Sequence, residues 1–248
     1  MWEIYNELIE LIPEGLNVLD CMVGLHWTLI RSPKGIGTAM TLKGGRSENK
    51  PASVVGMPLK ELAAYVKSWD MSLASLGQAA INSVLNVPDN IISITGQDFI
   101  KTSEANDANA FVRFLPEMAG KNVAVIGHFP GIESLHQICH LSIIERNPQS
   151  GDYPDSASEY ILPHQDYVFI TGTAFINKTM PRLLEVSHHA QVILVGPSVP
   201  MTAVLFNYGI EALAGMVILD EKECWQVVRE GGKTKAFKQG GQMVCIRR

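Results

Sequence analysis

Apolar residues at Ile4, Leu8, Leu11 and Ile12 recur at helical spacing and predict a helix over residues 2–12, which Pro13 and Gly15 stop. Two strand-like runs follow, Asn17 to Arg31 and Ile36 to Leu42. Between them, Ser32-Pro33-Lys34-Gly35 puts proline at the second turn position and glycine at the last, so the pair reads as a hairpin. A polar loop from Gly44 to Ala52 leads to a helix over Leu59 to Lys67, with Leu59, Leu62, Ala63 and Val66 at i, i+3, i+4 and i+7. The next helix, Ser72 to Leu85, is apolar almost all round, which predicts burial on several sides. Asn82 falls inside it, so its amide requires a backbone partner or a ligand.

The polar stretch Lys101 to Asn106 separates this half from one of different character, and the domain boundary is placed there, giving domains 1–105 and 106–248. Ala108 to Met118 reads as a helix carrying Phe111, Val112 and Leu115, with Gly120 as its stop. Short apolar runs then recur at Val123 to Ile126, Leu141 to Ile144, Tyr167 to Ile170, Val192 to Val195 and Met216 to Leu219, separated by segments long enough for crossovers. Runs that are apolar on successive residues are expected of parallel strands covered on both faces. The second domain is therefore expected to be a doubly wound α/β domain.

Three of these runs end alike, at Gly127, Gly172 and Gly196, each followed by small polar residues or proline and then a predicted helix. They should lie together at the carboxyl edge of one sheet, where open α/β sheets bind ligands. The first, NVAVIGHFPG, invites comparison with a dinucleotide loop, but Phe129 stands where the second glycine of G-x-G-x-x-G is needed, and no GxxxxGK[ST] sequence exists. Glu145 closes the second strand of the domain, the position from which an acid can grip ribose hydroxyls, and keeps a nucleoside-like ligand open. Loop amides around the three glycines, with the hydroxyls of Thr171, Thr173 and Ser198, could receive a carboxylate or phosphate without a lysine.

Composition narrows the partners. With 46% hydrophobic and 18% charged residues the chain is an ordered globular type, and a net charge of −5 without a basic stripe argues against nucleic acid or an anionic membrane. The acidic N-terminus does not resemble a signal peptide, no run is long and apolar enough to span a bilayer, and the four cysteines lack CxxC spacing. The expectation is a cytoplasmic protein with a small, anionic organic ligand, and with a homodimer as one candidate assembly.

His128, just past a strand-end glycine and titrating near neutrality, is the candidate for general acid/base work. His136 and His140 stand at i and i+4 of a predicted helix with Cys139 beside them, which offers a metal-binding alternative of two ligands. His188 and His189 are expected at a helix end with rings pointing apart. No GxSxG, HExxH or other hydrolase signature occurs, so no reaction type, cofactor or nucleophile follows from the sequence, and no metal ligand is assigned.

GHFP after the first strand, DYVFITGTAFINKT, and GPSVPMTAVLFNYG together resemble a family of prokaryotic proteins of unknown function catalogued as a heavy-metal-chelation domain. GLHWTLI and SLGQAAIN resemble the domain that usually precedes it, which has an enolase N-terminal-like fold. The resemblance implies an enolase N-terminal-like α+β domain followed by a Rossmann-like domain, with a pocket between them holding a chelator, a pterin- or flavin-like compound or a siderophore-like molecule. Carried over by motif, it implies site residues Gly127, His128, Pro130, Thr171, Gly172, Thr173, Asn177, Gly196, Pro197, Ser198 and Pro200, with Trp27 and Asn82 from the first domain; Phe129 and Glu145 complete the set from the reading of the loop and strand end. An enzyme and a binder fit equally, and a non-catalytic interaction scaffold is the third reading.

Overall fold

The structure, a computed structural model, describes residues 2–99, 109–233 and 240–248. Its first part begins with helix α1 (Glu3–Glu10) and a three-stranded antiparallel sheet of β1 (Asp20–Val23), β2 (Trp27–Arg31) and β3 (Ile36–Met40). The run Asn17 to Arg31 is thus two strands rather than one, because Gly24 to His26 turn the chain before β2 starts. The Ser32–Gly35 turn is a hairpin as expected, closed by the Ser32 N–H donating to Gly35 O at 2.9 Å. Helices α2 (Leu59–Ala64), α3 (Met71–Leu85) and α4 (Pro88–Thr95) follow. The Asp70 carboxylate caps α3 by accepting from the amides of Ser72 and Leu73 at 2.9 and 3.2 Å.

The expected boundary at 105/106 lies outside the described residues. From Asn109 the predicted single helix is two short ones, α5 (Ala110–Arg113) and α6 (Leu115–Met118), since Pro116 cannot continue the hydrogen-bond ladder of the turn before it. The second sheet has seven strands: β4 (Asn122–Ile126), β5 (His140–Glu145), β6 (Tyr153–Pro154), β7 (Tyr167–Thr171), β8 (Gln191–Val195), β9 (Ile210–Ile218) and β10 (Gly241–Arg247), in the order β10-β9-β8-β7-β4-β5-β6. All neighbours are parallel except β9 and β10. Counted from β4, this is the 3-2-1-4-5-6 order of the Rossmann fold with one antiparallel strand added at the edge. The crossovers carry α7 (Ser158–Ile161), α8 (Thr173–Ile176), α9 (Met180–Val186) and, before the last strand, α10 (Glu221–Arg229). Only Gly172 leads directly into an α-helix; 3-10 turns at Ile132–Gln137 and Ala203–Tyr208 follow the other two strand-end glycines.

Successive strand residues face different cores. Ala124, Val168, Ile170, Leu194 and Leu213 join a cluster that includes Leu8, Leu62, Ala80 and Ile81 of the N-terminal helices. Their neighbours Val123, Val125, Phe169, Ile193 and Ala212 pack on the opposite face with Phe114 and Met118. The apolar runs are therefore continuous because both faces are covered, and the N-terminal part is itself one of the covering layers.

The join between the two parts is also polar. Gln78, Asn82, Asn86 and Asn90 recur every four residues along α3 and into α4, and all four amides reach the irregular segment Ser198–Met201. Asn86 donates to Val199 O at 2.9 Å and Met216 O at 3.0 Å and accepts from the Met201 amide at 2.9 Å. A buried segment without regular structure must satisfy its backbone groups somewhere, and here the amide row does so.

Candidate functional site

The carboxyl ends of β4, β7 and β8 open into a cavity of about 560 Å³, closed on its other side by Trp27, Met40 and Leu42 from the three-stranded sheet and the residues after it. This is the switch point of the sheet: β5 leaves to one side of β4 and β7 returns on the other. Of the expected site residues, Trp27, Gly127, His128, Phe129, Pro130, Glu145, Thr171, Thr173, Asn177, Gly196, Pro197 and Ser198 line it. Gly172, Pro200 and Asn82 stand behind the wall. A Cβ on Gly172 would lie 2.5 Å from the Val199 nitrogen, so glycine there permits close approach of two chain segments. The Asn82 amide donates to Thr38 O at 2.8 Å and Ser198 O at 3.2 Å and accepts from Gln78 at 3.1 Å, so backbone partners answer the demand its burial makes.

Ser198 ties the wall together. Its carbonyl is gripped by Gln78 and Asn82, and its Oγ accepts the Met40 amide at 2.9 Å. Both parts of the chain thus fix one cavity-lining hydroxyl. Asn177 and Thr179 flank Lys178, whose φ of 66° is the one positive value outside glycine among the described residues. The Lys178 ammonium turns away to donate to Ile176 O at 2.7 Å and lies 5.8 Å from the centre of the Trp69 ring. Burial pulls its pKa down to about 8, against the pull of Glu48 and Asp70. Left-handed backbone at a non-glycine residue costs energy, and it leaves Asn177 and Thr179 facing the cavity on either side.

Gly127 and Gly196 have φ of 101° and 109°, conformations that side chains resist. The Phe129 ring lies over both: it would stand 3.5 Å from a Cβ on Gly127 and 3.8 Å from one on Gly196. It also packs edge-on against Phe111 at 5.3 Å. The aromatic ring thus fills the ground that a glycine loop would leave to a pyrophosphate.

His128 is held on both sides. Its Nδ1 lies 2.9 Å from Asp152 Oδ2 and its Nε2 3.0 Å from Glu133 Oε1, while its backbone amide donates to Glu145 Oε2 at 3.0 Å. Burial disfavours the charged ring, but hydrogen bonds to the two carboxylates outweigh it and raise the pKa above the ordinary value of 6.5. When protonated, the ring can donate to both carboxylates at once. Acting as a base would require it to lose one of these partners. The Asp152 side chain is 2% exposed and also accepts the Gln149 amide, whereas that of Glu133 is 58% exposed.

Other lining residues carry no signal in the sequence motifs: Arg146, Asn147, Asp155, Ser156, Ser158, Glu159, Arg182, Leu183 and Val186. Arg146 and Asn147 could have been found, because they directly follow Glu145 at a strand end. Arg182 lies on α9 and grips Glu159 of α7 with two bonds of 2.9 and 2.6 Å, a contact that spacing in the chain does not announce. Arg146 faces Asp155 at 3.6 Å. Arg182 is also bonded to Glu185, and the carboxylates of Glu145, Asp155 and Glu159 in the lining offset Arg146 and Arg182, so the cavity is not an anion funnel.

The metal alternative loses its geometry. His136 lies in a 3-10 turn that ends at Gln137, and His140 opens β5, so the two imidazoles do not share a helix face. The apolar Leu135 and Cys139 turn inward and the strand starts a residue later, a tertiary demand that overrides helical spacing. Among the described residues no three His, Cys, Asp or Glu side chains come together in a way that could hold a metal ion. The His188 and His189 rings, expected to point apart, have centres 3.7 Å from each other just past α9, where His188 bonds Glu185 O. Among the described residues no helix is long and apolar enough to cross a membrane.

Fold and cavity define a Rossmann-like α/β protein whose N-terminal α+β part covers the ligand edge of the sheet. The chain belongs to the DUF364 family: residues 109–247 match that family's model and residues 5–85 that of DUF4213, both described as "Putative heavy-metal chelation". It is 38% identical to a DUF364-family protein of unknown function from Desulfitobacterium hafniense, whose crystal structure superposes with a TM-score of 0.88 over 100% of this chain and 99% of that one. A Pyrococcus horikoshii member of unknown function, 21% identical, shares the fold with a TM-score of 0.75 over 99% of this chain and 98% of its own. An uncharacterized protein of Methanocaldococcus jannaschii is 27% identical over 91% of this chain and 88% of its own length.

Proposed function

We propose that the protein binds, and as an enzyme or a carrier acts on, one small organic molecule in the cavity between its two parts. The observation that supports this reading best is the construction of the wall: Ser198, a buried residue on the Rossmann-like side, is anchored by Met40, Gln78 and Asn82 of the other side and lines a space of about 560 Å³. Cavities of that size, mainly apolar with a few fixed polar groups, are the common form of small-molecule sites. Ile126, Ile144, Leu183, Val186 and Met40 supply the apolar area, and Thr171, Thr173, Asn177 and Ser198 the polar points.

The lining carboxylates of Glu145, Asp155 and Glu159 offset Arg146 and Arg182, which favours a ligand with little net charge over the anionic one expected from the strand-end loops. The test is a thermal-shift screen of fractionated metabolite extract on the wild type and on Asn147→Trp, which puts a bulky ring at an exposed cavity-lining position outside the core. A fraction that raises the melting temperature of the wild type and leaves the variant unmoved is expected. Equal shifts in both proteins, or none in the wild type, overturn the proposal.

A further inference from the structure

We infer that the ligand is a ribonucleoside without a 5′-diphosphate, read through its vicinal hydroxyls by Glu145. The inference rests on the cavity reading above and adds to it the chemistry of one end of the site.

Glu145 is the last residue of β5, the second strand of the Rossmann order, and lines the cavity. Each of its oxygens is held by a backbone amide: Oε2 accepts from His128 at 3.0 Å and Oε1 from Asn147 at 3.1 Å. A carboxylate oxygen accepts more than one hydrogen bond, so both retain acceptor capacity after these bonds are made. Two acceptors fixed side by side, with no freedom left to rotate, match two adjacent hydroxyl donors. A carboxylate at this strand end grips ribose hydroxyls in dinucleotide sites, and here it is set for the same partner.

The other half of a dinucleotide site is closed. The Phe129 ring covers Gly127 and Gly196, both ring nitrogens of His128 face carboxylates of Asp152 and Glu133, and Arg182 is bonded to Glu159 and Glu185. The Phe129 ring thus stands where a diphosphate would lie, while Ile144, Leu183, Val186 and Leu42 offer an apolar bed for a flat heterocycle. Sugar recognition is retained and phosphate recognition is removed.

Calorimetry on the full chain with adenosine, guanosine, cytidine and uridine, their 2′,3′-dideoxy analogues, their 5′-diphosphates and methyl riboside tests this. One ribonucleoside should bind, its dideoxy analogue should bind about tenfold or more weakly, and its 5′-diphosphate should also bind more weakly. Methyl riboside should not bind detectably. Glu145→Gln should reduce the difference between ribo and dideoxy forms. Should that variant fold poorly for want of an acceptor facing one amide, the analogue series on the wild type decides alone. The inference is overturned if no ribonucleoside binds, if ribo and dideoxy forms bind alike, or if the diphosphate or methyl riboside binds as well as the nucleoside. In the first case, a metabolite fraction that still stabilises the wild type but not Asn147→Trp shows that only the ligand class has failed.

Discussion

At the scale of single residues, His128 shows how position and chemistry diverge. It sits where a strand-end loop puts a functional histidine, yet Asp152 and Glu133 occupy its two nitrogens. The partner Asp152 is 24 residues away in a loop whose path no local pattern foretells, so the sequence shows the histidine and hides its state. Because the folded pKa is raised, the stabilisation from this bridge is complete below the ordinary 6.5 and is lost as pH rises through the folded value. On the Glu133 side the carboxyl is lowered, by its own backbone amide first and by His128 second, so that arm is complete above 4.5 and lost as pH falls through the folded value. Replacing His128 with Gln should cost about 1–2 kcal/mol near pH 6, mainly through buried Asp152 since exposed Glu133 is screened. Chemical denaturation of both proteins from pH 5 to 9 checks it: the gap between them should shrink as pH rises, and a constant gap contradicts the bridge.

At the scale of elements, β4, β5, β7 and β8 were legible because a strand covered on both faces is apolar on successive residues of its middle, and that leaves a mark in the chain. β9 starts six residues before the apolar run that pointed to it, and β10 was missed. Both strands carry small or polar residues, such as Glu211, Gly215 and Gln242, that break the run. Asn82 was legible as a buried amide in need of partners, but not the row to which it belongs. Gln78, Asn86 and Asn90 have meaning only once the segment Ser198–Met201 is known to lie beside them. Asn86→Ala should leave two carbonyls and one amide unpaired at the join and cost about 3 kcal/mol. Equilibrium denaturation measures this, and a loss below about 0.5 kcal/mol, the range of an ordinary surface change, would show that the row does not hold the parts together.

At the scale of the whole molecule, the cluster that includes Leu8, Leu62 and Ile81 continues into Val168, Ile170 and Leu194 of the sheet without a break. Two family models divide the chain, but its packing does not. Calorimetric melting should therefore show a single transition with equal calorimetric and van't Hoff enthalpies, and two resolved transitions would mean that the parts fold separately. The shared core also means that the cavity is built in advance and does not wait for one part to swing onto the other. The cavity's floor was legible from three strand-end glycines, whereas its opposite wall of Met40 and Leu42 was not, because nothing in a hairpin tells which sheet it will cover.

Hydrogen exchange read by mass spectrometry, with and without a metabolite fraction that stabilises the wild type, tests the central claim most directly. Bound ligand should slow exchange together in 40–42 of the first part and in 126–130, 145–147, 171–179 and 196–198 of the second, with little change elsewhere. Protection confined to one part, or lying away from these segments, would contradict a ligand held between them.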